Sequence, residues 1–144
     1  MTKRPISLLA WAALLLLAQA LPAATWNTNA EGVVLDGYDV VAYRAHDRAE
    51  PGSPRHAAEY DGATFYFANA ERRALFLQEP ERYVPEYHEF CVFAVGARNA
   101  RVPANPDSFK LYNGELLVFF NDEYEGRKFN TKILWSADER ALCR

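Results

Sequence analysis

The stretch Tyr60–Cys91, YDGATFYFANAERRALFLQEPERYVPEYHEFC, decides the fold. Asp61-Gly62 between two apolar runs predicts a β-hairpin, because both central residues of a type I′ turn need positive φ. In the second arm Phe65 and Phe67 point one way and Thr64 and Tyr66 the other, and both faces are apolar or aromatic enough to be covered. Asn69 offers a side-chain oxygen to the free N–H groups of a helix start. Ala70, Ala74 and Leu77 share the helical face expected to meet the core, flanked by Leu75 and Phe76, with Arg72 and Glu79 toward water. Pro80 stops the helix, since it lacks an N–H and pushes Glu79 out of helical dihedrals. Pro85 reads as the first turn of a second helix, where the missing N–H costs nothing. Phe90 to Ala97 is apolar on nearly every side and reads as a buried central helix, or over Phe90–Val95 as a buried strand.

Upstream, residues 21–33 form a polar lead-in, with a short strand expected over Val33–Leu35 and a turn at Asp36-Gly37. Tyr38–Tyr43 suits either a short helix capped by Asp39 or a strand, and Arg44–Pro54 is a charged surface loop. Downstream, Gly96–Pro106 is a loop, and Asn113-Gly114 sets a second hairpin between Ser108–Tyr112 and Glu115–Phe120. Asp122-x-x-Glu125 resembles a capping box and predicts a last helix. No internal repeat is read beyond the two hairpins. The expected class is α+β: a small antiparallel sheet built from two β-hairpins, packed with two to four short helices.

Residues 1–20 read as a signal peptide. Lys3 and Arg4 precede the apolar run Ile6–Ala20, and Ala18-Gln19-Ala20 gives a small-x-small cleavage pattern. The run is shorter than the ~20 apolar residues of a membrane span, so no stable anchor is expected after cleavage and the destination is the periplasm or the exterior. The remaining chain, 34–144 after the lead-in, is one domain in length. Without Lys3 and Arg4 the 16 basic residues fall to 14 against 19 acidic ones. That balance opposes phosphate-backbone binding, so nucleic acid is excluded as an expected partner.

From Val34 to Asn121 the chain resembles secreted YHS-domain proteins. The resemblance rests on GYDVVAY (Gly37–Tyr43), the Gly52-Ser53 loop, Tyr60-x-Gly62 with Phe65-Tyr66-Phe67, ALF-x3-P-x2-Y (Ala74–Tyr83), Tyr87–Cys91 and the hairpin at Asn113-Gly114. It implies a compact α+β domain with a binding role, usually for metal ions, rather than a catalytic cycle. Two positions depart from the pattern. The Phe-Cys-x-x-x-Cys of the short modules is here Phe67–Arg72 without a thiol, and the Gly-Gly of the secreted relatives is here His88-Glu89.

His88 and Cys91, three apart on an expected helix, share a face and are the candidate metal ligands; imidazole plus thiolate suits copper(I) or zinc. Two ligands do not close a structural zinc site, so His46, His56, Asp39 or Glu89 would complete it. The competing reading pairs Cys91 with Cys143 in a disulfide, which the exported compartment favours and which removes the thiolate from any metal. The chain would then be a stapled protein-interaction or small-ligand module. A third reading, Cys91 as nucleophile with His88 as base, lacks an orienting group and an oxyanion site, so the protein is expected to be no enzyme. Asp36 and Asp39 with Tyr38 and Tyr43 are a further candidate pocket, set against ordinary capping roles. Tyr60, Tyr66, Tyr83, Tyr87 and Tyr112 with Phe65 and Phe67 are expected mainly to build core. Glu86 and Glu89, a candidate acid pair, sit where a helix dipole favours carboxylates without catalysis.

Overall fold

The computed structural model describes residues Trp26–Trp135. The expected leader, residues 1–20, and Cys143 lie outside the described residues. The elements in order are a 3-10 turn at Val34–Gly37, α1 (Val40–His46), β1 (Ser53–Tyr60), β2 (Ala63–Phe67), α2 (Ala70–Gln78), α3 (Pro80–Tyr83), a second 3-10 turn at Glu86–Glu89, α4 (Val92–Arg98), β3 (Asn105–Tyr112), β4 (Glu115–Phe119), β5 (Asn121–Tyr124), β6 (Arg127–Asn130) and α5 (Thr131–Leu134). The class is α+β, as expected. Among the described residues the strands form three separate two-stranded antiparallel ladders rather than one sheet.

The molecule is a tandem repeat, which the sequence reading missed. From Val34 to Phe67 each landmark of the first half recurs 52 residues on: Val34–Gly37 against Glu86–Glu89, α1 against α4, β1 and β2 against β3 and β4; beyond them the halves differ, with α2 in the first and the β5–β6 hairpin in the second. The correspondence reaches single contacts. Val33 bridges Thr64 as Pro85 bridges Leu116, and Tyr38 bridges Pro51 as Phe90 bridges Pro103. Both hairpins carry a register shift in their first strand, between Ser53 and Ala57 and between Asn105 and Phe109. Both short helices end in a left-handed residue, Asp47 (φ 52) and Asn99 (φ 49), the residue types that tolerate αL. Few identities survive, among them Val40/Val92, Pro51/Pro103, Tyr60/Tyr112, Gly62/Gly114 and Phe67/Phe119. What persists is turn chemistry and burial pattern, and neither reads as a repeat letter by letter.

The two predicted hairpins form, with positive φ at Asp61-Gly62 and at Asn113-Gly114 as type I′ turns require. The expected last helix at Asp122 does not. Glu125 (φ 50) and Gly126 (φ 73) make a third hairpin turn instead, and the helix starts only at Thr131, capped by Asn130. Over Tyr38–Tyr43 the helix forms rather than the strand, because the Asp39 carboxylate accepts the Val41 N–H at 2.9 Å. Asn69 caps α2 by accepting the Arg72 N–H. The inward face of α2 differs from the expectation: Phe76 is fully buried, while Leu75 and Leu77 are exposed. Phe76 wins the core position because its ring sits 5.0 Å from both Phe65 and Phe67.

Two cores meet at β4. Leu116 and Val118 join the main cluster with Val34, Leu35, Val40 and Phe65, whereas Leu117 and Phe119 turn the other way to pack with Val92 and Trp135. A strand covered on both faces explains the unbroken apolar run LLVFF. Trp135 stands on Tyr112 and Phe119 much as Phe76 stands on the first hairpin.

Candidate functional site

Pro85 does not start a helix. Pro85 lies in the bridge to Leu116, and the chain then enters a kinked turn with left-handed dihedrals at Tyr87 (φ 55), His88 (φ 54) and Glu89 (φ 72). The first half makes the same turn with Leu35, Asp36 and Gly37. Positive φ costs a non-glycine residue about 1–2 kcal/mol. Positions 88 and 89 are therefore where glycines would sit freely, and here tertiary contacts hold other residues in that conformation. The His88 carbonyl accepts the Asn27 N–H at 3.0 Å, and the His88 ring packs edge-on against Trp26 at 4.7 Å. Glu89 is buried and accepts the Leu35 N–H at 2.8 Å, so its carboxyl ties the second turn to the first. Burial pushes that carboxyl up to about 8, against the lowering effect of the hydrogen bonds from Leu35 and Asn27 and with a further push from the Asp36 charge. At neutral pH Glu89 is mainly uncharged.

The turn ends at extended Phe90, and Cys91 is the N-cap of α4. His88 and Cys91 are thus not on one helix. His88 is exposed, while Cys91 is fully buried with its sulfur 3.2 Å from Thr131 Oγ1. The Thr131 hydroxyl itself donates to the Phe120 carbonyl at 2.9 Å. Its proton is spent there, so the Cys91 thiol is the donor to Thr131 Oγ1. Cys91 is a free thiol, and its expected disulfide partner Cys143 lies outside the described residues. Cys91 takes the place that Asp39 holds in the first half, and both residues link the start of a short helix to the chain that follows the hairpin.

A soft metal does not fit this donor set. The thiol is sealed and already hydrogen-bonded, the imidazole faces a different environment, and among the described residues no three His, Cys, Asp or Glu side chains cluster as ligands. Of the helpers proposed from sequence, His56 lies on β1, and His46, Asp39 and Glu89 are engaged elsewhere. His46 Nδ1 is 2.7 Å from Glu50 Oε1 and 2.9 Å from Arg72 Nη2. Arg72, expected to face water, donates to Asp39 at 3.1 Å and to Glu50 at 2.6 Å. Asp39 also accepts the Ala68 N–H at 2.9 Å. This cluster locks α1, its following loop and α2 together. Asp36 is exposed and Tyr43 is core, so the suggested Asp–Tyr pocket does not form.

Between the second turn and the end of α4 lies a cavity of about 240 Å³, lined by Tyr87, His88, Phe90, Val95, Asn99 and Arg101 among others. The Arg101 guanidinium sits 5.5 Å from the Phe90 ring centroid. A wider groove of about 740 Å³ runs past Phe109 and Ile133, but its lysines lie over aromatic rings: Lys110 over Trp135 at 4.8 Å and Lys132 over Phe109 at 5.7 Å. Sequence reasoning singled out His88 but missed the cavity, Arg101 and the tying role of Glu89. The 52-residue spacing pairs Glu89 with Gly37 and Arg101 with Ala49, a correspondence that the few identities leave hidden until both halves are folded.

Comparison with protein-family models, with curated proteins and with solved structures finds no match.

Proposed function

We propose that this chain is an exported, non-enzymatic binding protein of the YHS kind, taking a small ligand in the cavity beside the second turn. The observation that carries this reading is the convergence of His88, Asn99 and Arg101 with the apolar walls of Phe90 and Val95 on one cavity. The cavity lies within the segment on which the YHS resemblance is built. The non-enzymatic reading is supported by Cys91, whose sulfur is bonded to Thr131 rather than to an imidazole base. The leader-like residues 1–20 support export.

Amide-resolved NMR of the leader-free protein against a set of small soluble fragments tests the site. Shifts concentrated at Tyr87–Phe90 and Asn99–Arg101 support it; shifts confined to other surfaces, or none, reject it. Copper(I) and zinc titrations of the reduced protein test the metal alternative. The expected outcome is that metal affinity is the same in Cys91→Ala as in the unsubstituted protein. Loss of tight binding in both Cys91→Ala and His88→Ala would restore the metal site and end the small-ligand reading.

A further inference from the structure

We propose that this cavity takes a small organic anion, a carboxylate or similar group on a compact apolar body; the proposal rests on the small-ligand reading and deepens it. The two halves supply an internal comparison. Val95 corresponds to Tyr43, which is fully buried, packs edge-on against Phe109 at 4.7 Å and donates its hydroxyl to the Pro106 carbonyl at 3.0 Å. In the first half, then, this place is filled by a tyrosine and covered by β3. In the second half the shorter Val95 is half-buried and borders the 240 Å³ cavity.

The charges at the same places are reversed. His88 stands where the first half has Asp36, Asn99 where it has Asp47, and Arg101 where it has Ala49. Two carboxylates are gone and an imidazole and a guanidinium have arrived, on a chain whose formal net charge is −3. Among the described residues, none that lines the cavity carries a carboxylate. Arg101, resting on the Phe90 ring, presents a planar donor fork that matches a carboxylate. Phe90 and Val95 give the apolar body its wall. The volume is below that of sites for drug-sized molecules, which start at about 300 Å³, and so favours a compact ligand.

Benzoate, benzyl alcohol and benzamidine share one ring and differ in charge, so they separate occupancy of the cavity from preference for an anion. Each is titrated into the leader-free protein and followed at the amides of Tyr87–Phe90 and Asn99–Arg101. Benzoate is expected to bind about tenfold or more tighter than the other two, the size of one charge-assisted hydrogen-bond pair. Arg101→Gln removes that preference while benzyl alcohol binding stays unchanged. Val95→Tyr, which restores the first-half residue, abolishes binding of all three. Arg55→Gln, an exposed arginine of β1, leaves the preference intact, and the amide dispersion of each variant reports whether it is folded. Equal binding of the three probes overturns the anion class and leaves the ligand site standing. A benzoate preference that survives Arg101→Gln also overturns it. No shift from any probe up to its solubility overturns both readings.

Discussion

Glu89 shows how one residue can carry a property that its neighbours in sequence do not announce. Its folded carboxyl titrates near 8, above the ordinary 4.5 it has when exposed. Between those values the native state holds a proton that the unfolded chain has lost, so stability falls as pH rises through the window, by up to about 1.4 kcal/mol per pH unit. Glu50 acts in the opposite sense. Hydrogen bonds from Arg72, His46 and Arg48 hold its carboxyl near 2, so its contribution is present above pH 4.5 and is lost as pH falls toward 2. Urea denaturation across pH should therefore show greatest stability on the mildly acidic side, near the ordinary carboxylate range. Glu89→Gln should flatten the decline toward pH 8; an unchanged slope would show that Glu89 is not the titrating group. Cys91 sets a second residue-level expectation. In a Cys143→Ser background, which removes the other thiol, a thiol reagent should react with native protein only as fast as it opens, and at once in denaturant.

Glycine 52 belongs to the scale of elements, where backbone meets backbone. A Cβ there would stand 2.5 Å from the Tyr66 carbonyl carbon and 2.8 Å from the Gly37 oxygen, to which the Gly52 N–H donates at 2.8 Å. Gly52→Ala must separate the loop before β1 from β2, at a cost of about 1–3 kcal/mol. The matching residue of the second half is Ala104, so Ala104→Gly should destabilise by only about 0.5–1 kcal/mol, the intrinsic glycine penalty. Chemical denaturation of the two variants checks the asymmetry. The α1–α2 lock is the other element-scale device. Arg72→Ala leaves the fully buried Asp39 carboxylate with only its two backbone donors. It should destabilise by roughly 2–4 kcal/mol, whereas an exposed surface pair contributes well under 1. Pairing it with Asp39→Asn in a double-mutant cycle measures the coupling.

Across the whole molecule, the halves lean on each other unequally. The first half gives Leu35 and Tyr43 to a core that also takes Leu116 and Val118 from the second, and Glu89 and Tyr43 reach across between them. Among the described residues, the second half's own cluster has four buried members, Val92, Leu117, Phe119 and Trp135. A fragment of residues 85–135 is too short to bury enough apolar surface alone. It should give an NMR spectrum with little dispersion, and the intact chain should unfold in one transition by far-UV dichroism and tryptophan fluorescence. Two separable transitions would mean that the halves are independent domains.

The sequence alone determined the local pieces. Asp-Gly and Asn-Gly fixed two hairpins because few residues accept paired positive φ; Asn69 and Pro80 bounded α2; and the order of hairpins and helices, with the YHS resemblance, pointed to an α+β domain. Tertiary structure decided the rest. Which face of α2 is buried depended on the rings of Phe65 and Phe67, not on helical spacing. The separation of His88 from Cys91 followed from a left-handed turn held by Asn27, Trp26 and Leu35, far away in the chain. The cavity exists because Val95 stands where its counterpart is a tyrosine, and the two positions become comparable only once both halves are folded alike. Hydrogen-bonded turns are local and can be read residue by residue, whereas burial, charge state and empty space are set by distant neighbours.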